Sequence, residues 1–147
     1  LAEAVPFFVL RDDGTPAGCG GIQLFGTAYG ELKRMYVRPQ LRGRGFGTLL
    51  VHHLAGYAQA QGVTLLRLET GIHQHAAIGL YERLGFARIP PFGAYTADPL
   101  SVFYEKSIPG PGRPAGADQA SGGTRCRAGP RDRSRTGPAA PPAARAR

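Results

Sequence analysis

The stretch PQLRGRGFGTLL (residues 39–50) sets three glycines, alternating with arginine and phenylalanine, ahead of an apolar pattern at helical spacing. Pro39 closes the strand before it, because proline cannot donate to a sheet ladder. Phe46, Leu49, Leu50, Leu54, Tyr57 and Ala58 then recur with helical period, and Gly62 stands where a helix C-terminus favours a positive φ. Glycines before a helix let the backbone approach an anion closely. The free N–H groups of the first turn point at it, and the helix dipole adds to the attraction. With Arg42 and Arg44 alongside, the loop suits a phosphate or pyrophosphate. Taken alone, the loop is weak evidence, since glycines before a helix are more often a plain turn.

The spacing narrows the ligand class. There is no G-x-x-x-x-G-K-[ST], which excludes a P-loop on pattern. The glycines fall as G-x-G-x-G, not as the G-x-G-x-x-G of a dinucleotide fold. Glu69 does lie about where a ribose-binding acid would stand. However, the preceding strand is charged and ends at Pro39, several residues short of the first glycine.

Working outward, residues 7–10 form an apolar strand, Asp12-Asp13-Gly14-Thr15-Pro16 is turn chemistry, and residues 17–25 form a second, Gly-rich strand. In the strand of residues 31–38, Leu32, Arg34 and Tyr36 face one way and Glu31, Lys33, Met35 and Val37 the other. That alternation is imperfect and compatible with a bulge. Residues 63–70 are a buried-type strand. Ala77, Leu80, Tyr81 and Leu84 mark a short helix closed by Gly85, with Phe86 as its apolar follow-on. FARI and residues 100–108 are further strands, joined by a loop at residues 90–99. The order β-β-β-loop-α-β-α-β-β combines antiparallel hairpins with one central β-α-β crossover. The expected fold is therefore α+β: a mixed, mostly antiparallel twisted sheet, not a doubly wound one.

The composition divides the 147 residues in two. Residues 109–147 are mostly Gly, Ala, Pro and Arg with no large apolar side chain, too little to offset ordering entropy, so this tail reads as disordered. Residues 1–108 form the globular part. The net charge of +8 belongs mainly to the tail: residues 1–108 carry ten Lys or Arg against eight Asp or Glu, and residues 109–147 carry eight Arg against two Asp. The tail has no aromatic residue to stack on bases, which disfavours nucleic acid as a partner. Cys19 and Cys126 give neither a disulfide framework nor metal-ligand spacing. His52 and His53 are helix neighbours that cannot face one ion, and His73 with His75 lacks a third ligand, so no metal is expected. With no apolar run of transmembrane length and no recognisable signal peptide, the sequence reads as a soluble, cytoplasmic protein. It begins at Leu1, not Met, and reads as incomplete at its N-terminus.

Two motifs together carry a resemblance. R-G-R-G-F-G (residues 42–47) is similar to the Q/R-x-x-G-x-G/A signature of the GNAT superfamily of acetyl-CoA-dependent N-acetyltransferases. AAIGLYERLGF (residues 76–86) resembles that family's A-x-x-L-Y-x-x-x-G-F segment at Ala77, Leu80, Tyr81, Gly85 and Phe86. Order and separation are those of the family, and the likeness spans residues 5–108. The family's usual first strand and first two helices have no counterpart, which puts part of the acceptor wall in question.

The resemblance implies roles. The backbone N–H groups of Arg42, Gly43, Arg44, Gly45, Phe46, Gly47 and Thr48 would hold the coenzyme A pyrophosphate. The pantetheine would lie between the strands of residues 31–38 and 63–70. A backbone N–H near Met35, Tyr36 or Val37 would polarise the thioester carbonyl. Tyr81 matches a general acid for the departing thiolate, with packing on the stripe of Ala77 and Leu84 as its competing role. Glu31 resembles a general base, against an exposed strand-end carboxylate as the plain reading. Gln74 stands where the family often has Asn, and Glu69 and Thr70 fall at the cleft end of their strand. The implied activity is direct transfer of acetyl from acetyl-CoA to a primary amine of a small molecule or peptide, in a homodimer by family habit. A non-catalytic acyl-CoA-binding module and a nucleotide- or S-adenosylmethionine-binding transferase are the rival readings.

Overall fold

A computed structural model describes residues 5–112; most of the expected disordered tail lies outside them. Strands β1 (Phe7–Asp12), β2 (Thr15–Phe25) and β3 (Tyr29–Val37) are followed by a 3-10 turn (Pro39–Leu41) and helix α1 (Phe46–Ala60). Strand β4 (Leu65–Gly71), helix α2 (His75–Arg83) and strands β5 (Ala87–Ile89) and β6 (Ser101–Ser107) complete the order. The expected element order is observed.

The six strands form one sheet in the order β1-β2-β3-β4-β6-β5. Every pair is antiparallel except β3 with β4, which α1 joins as a parallel crossover. The result is the mixed α+β sheet expected. The β1–β2 turn places Asp13 at φ 48 and Gly14 at φ 78, the two successive positive φ values that a tight hairpin needs. Gly62 and Gly85 both take positive φ beyond the helix ends. Phe86 N–H reaches back to the Tyr81 carbonyl at 3.0 Å, closing α2 as glycine-terminated helices do.

Both helices contribute to one core. Leu54 and Ala58 of α1 and Tyr81 of α2 pack with Ile22, Leu32, Leu66, Leu68, Val102 and Tyr104 of the sheet. With a period of two along each strand, the intervening residues Glu31, Arg67, Glu69, Phe103 and Glu105 face away from the helices. On that face Phe25, Tyr29, Phe92, Tyr95 and Phe103 form a chain of ring contacts at 4.6 to 5.8 Å.

Two expectations about side-chain direction are corrected. The buried stripe of α1 is Leu50, Val51, Leu54 and Ala58, while Leu49 is 52% exposed. The run Leu49-Leu50-Val51 offers two helical phases, and the sheet selects the one that pairs Val51 with Leu54 and Ala58. In β3, Leu32 and Met35 both pack toward the core cluster under α1, although strict alternation would separate them. The step from Cys19 to Gly21 on β2 is matched by the longer step from Tyr36 to Lys33 on β3. Within that step Arg34 takes φ 54, so a bulge inverts the phase of the strand.

Candidate active site

β3 and β4 are paired over three positions, Gly30 with Leu66, Glu31 with Arg67, and Leu32 with Leu68. Beyond Leu32 they part. β4 stays in register with β6 as far as Gly71, while β3 stays with β2 and bends at Arg34. Between the splayed strands opens a cleft of about 840 Å³, the size of a small-molecule site.

The glycine loop closes one end. Gly43, Gly45, Phe46, Gly47 and Thr48 line it. Gly43 and Gly45 sit at φ 79 and 84, which costs an L-residue with a side chain about 1–2 kcal/mol. Gly47 is glycine for another reason: a Cβ there would come within 2.7 Å of Leu80 Cδ2 on α2. The first intrahelical bond of α1 runs from Leu49 N–H to the Gly45 carbonyl at 3.1 Å. The N–H groups from Gly43 to Thr48 have no acceptor among the described residues, and they stand at the positive end of a 15-residue helix.

The arginines behave differently from expectation. Arg42 N–H is taken by the Pro39 carbonyl at 3.3 Å, so the run of free amides begins at Gly43. Its side-chain Nε donates to the Val37 carbonyl at 2.9 Å and its guanidinium lies 5.7 Å from the Tyr36 ring centroid. Arg42 therefore ties the loop to the end of β3 and still lines the cleft. Arg44 does not line it: its guanidinium pairs with Asp12 at 3.3 Å and lies 5.0 Å over Phe46. At 53% side-chain exposure that pair is a weak tie between the loop and the β1–β2 turn.

Met35, Tyr36 and Val37 line the wall formed by β3, and Gln74, Ala77, Leu80 and Tyr81 the wall formed by α2 and the loop before it. Tyr81 is 4% exposed, and burial pushes its phenol up to about 12. It donates no hydrogen bond to a described residue, yet no fully enclosed polar side-chain atom lacks a partner. Its hydroxyl must therefore open into the cleft, in neutral form at physiological pH.

Glu31, Lys33, Glu69, Thr70 and Tyr95 line the far side. Glu31 is 3% exposed, not the exposed carboxylate of the plain reading. Its Oε1 accepts from the Tyr95 hydroxyl at 2.5 Å and lies 3.6 Å from Lys33 Nζ. Glu69 Oε1 accepts from Ser101 Oγ at 2.6 Å. Sequence reasoning missed Tyr95, which belongs to no periodic element and lies 64 residues from its partner. His73 and His75 are exposed outside the lining. Among the described residues no group of three His, Cys, Asp or Glu is placed to hold a metal ion, and no helix is long and apolar enough to cross a membrane.

The cleft thus joins a run of unpaired backbone amides at one end to a buried carboxylate at the other, with a neutral phenol on the wall between them. Residues 1–86 match the acetyltransferase (GNAT) family, and the chain belongs to that family: it is an acyltransferase, and acetyl-CoA is the family's co-substrate. It is 45% identical over 105 residues to the IAA acetyltransferase of Azospirillum brasilense, a match covering 71% of this chain and 69% of that protein. A crystal structure from Klebsiella pneumoniae, described as an acyl-CoA N-acyltransferase, is 46% identical with a TM-score of 0.68, over 71% of this chain and 72% of that one. The ribosomal-protein-S18-alanine N-acetyltransferase of Escherichia coli is 27% identical with a TM-score of 0.60, over 74% and 72% of the two chains. Membership of this family disposes of the nucleotide- or S-adenosylmethionine-binding reading.

Proposed function

We propose that this acyltransferase moves the acetyl group of acetyl-CoA to a primary amine of a small molecule or peptide, by direct attack within a ternary complex. The observation that carries the reading is the cleft between the splayed β3 and β4, with free amides at one end, Glu31 at the other and Tyr81 on the α2 wall.

In this reading the amides of Gly43 to Thr48 hold the pyrophosphate, with Arg42 beside them. Gln74 borders the same ligand from the start of α2. A backbone N–H of Met35, Tyr36 or Val37 supports the charge that develops on the thioester oxygen. Glu31 Oε2 takes the proton that the acceptor ammonium must lose, directly or through a water. The amine nitrogen then bonds to the acetyl carbon and the carbon–sulfur bond breaks. Tyr81 gives its proton to the departing sulfur, and the second proton, which the newly bonded nitrogen must shed, restores the phenol through water; its raised affinity for a proton keeps it in the donating form at neutral pH. Holding the two substrates in line supplies much of the rate.

The names of the relatives point to different acceptors, so the acceptor is assigned here only as a primary amine. The proposal takes residues 1–108 as the acetyltransferase domain and 109–147 as an appended tail. It places the enzyme in the cytoplasm on thiol usage, and as a homodimer on family resemblance. Calorimetric titration of acetyl-CoA into the full chain, repeated with Gly45→Glu, tests the coenzyme site. Saturable binding that the added carboxylate removes is the expected result; no binding to the unmodified chain overturns it.

A further inference from the structure

The loop between β5 and β6 crosses the sheet face opposite the helices and is pinned at two points. Phe92 is buried against Tyr29 and Phe103, with the Arg67 guanidinium 5.5 Å from its ring centroid. Three residues on, the Tyr95 ring packs edge-on to Phe92 and Phe103 at 5.3 and 5.4 Å, and its hydroxyl reaches Glu31. A segment of mostly uncharged loop residues is thereby fastened directly over a buried carboxylate.

Both contacts to Glu31, from Tyr95 and from Lys33, fall on Oε1. Oε2 has no partner among the described residues, and no fully enclosed polar atom is left without one. Oε2 is therefore the atom that Glu31 presents to the cleft. The Tyr95 ring lines that same cleft beside it. Burial, the hydrogen bond to Glu31 and the nearby charges of Glu31 and Glu69 all raise the Tyr95 phenol above its ordinary range. It stays a donor at any pH the enzyme would meet.

The geometry points to Tyr95 as a positioning residue for the acceptor half of the site. Its hydroxyl occupies Oε1 so that Oε2 alone meets the incoming amine, and its ring forms the wall along which that amine reaches β3. The role rests on the acetyl-transfer reading, with Glu31 as base. It leaves the coenzyme end of the cleft untouched.

The test uses the full chain, with Tyr95→Phe, Tyr95→Ala, Glu31→Gln and the Phe/Gln double variant. Acetyl-CoA affinity is read by calorimetry. Turnover is read as thiol release with a panel of alkylamines, diamines and peptides bearing free N-termini, followed on the member turned over fastest. Tyr95→Phe keeps the ring and removes only the hydroxyl. Its kcat should fall about tenfold with amine KM and acetyl-CoA affinity each within about twofold. In the Glu31→Gln background the same change should cost nothing further, because Tyr95 acts through Glu31. Tyr95→Ala should also raise amine KM. Unchanged kcat in Tyr95→Phe, or an equal loss in both backgrounds, overturns the role. Acetyl-CoA binding without turnover of any amine overturns it as well. No acetyl-CoA binding by the unmodified chain overturns the coenzyme reading first, and this one with it.

Discussion

Glu31 and Tyr81 belong to opposite sides of the sheet and yet line one cleft. Glu31 faces away from the helices, under the β5–β6 loop, while Tyr81 is part of the core beneath them. They meet because β3 and β4 separate after three paired positions, so the opening passes between strands and not over them. In the proposed reading, a base and an acid so placed would serve opposite ends of one reaction without contacting each other.

Replacing Tyr81 by Phe keeps the ring that packs at 5.5 Å from Phe86 and removes the proton. Turnover should fall about 100-fold, at the lower end of the range for general acid loss. Acetyl-CoA affinity should stay within about twofold. Steady-state kinetics beside calorimetry checks both.

The same phenol makes stability depend on alkaline pH. In the unfolded chain Tyr81 loses its proton near pH 10, and in the folded protein only near about 12. Between those values the folded state binds more protons, so stability is intact below pH 10 and falls as pH rises through that window. The slope for one such group reaches about 1.4 kcal/mol per pH unit. Tyr95 and Tyr104 are raised in the same direction, each first by burial. Denaturant midpoints at pH 9 and pH 11 should differ, and Tyr81→Phe should reduce the difference.

Gly45 combines a positive φ with open space around a would-be Cβ. Gly45→Ala should therefore destabilise by about 1–2 kcal/mol through backbone strain alone. Gly45→Glu should remove acetyl-CoA binding while circular dichroism stays native-like.

Leu54 is fully buried between β2, β3 and the rest of α1. Leu54→Ala should cost about 2–5 kcal/mol, as cavity-forming changes do. Leu49→Ala, on the exposed phase of the same helix, should cost less than about 1 kcal/mol. Chemical denaturation of both separates the two phases of the stripe.

The strand and helix order was legible because glycines and prolines punctuate it: Gly14 in the first turn, Pro39 after β3, Gly62 and Gly85 after the helices. The unpaired amides before α1 were legible because free amides follow from any helix start. Three features were not. The bulge sits at Arg34, a residue type that carries no signal of positive φ. The phase of α1 depends on which of three adjacent apolar residues the sheet accepts. The hydrogen bond from Tyr95 to Glu31 joins residues far apart in the chain, and no local periodicity encodes it.

The bulged half of β3 and the end of β4 are, in effect, two sheet edges facing each other inside the molecule. Proteins normally cover such edges because unpaired backbone recruits another strand. Here the gap is bordered by the start of α1 and the α2 wall, and a thin extended molecule bearing amide groups is the kind of ligand that could complete the ladder. In the proposed reading such a ligand would act as a missing strand, and at 100 times its Kd it would add about 2.7 kcal/mol to the folded state. On that reading, the resistance of this enzyme to unfolding would follow the supply of the molecule it consumes.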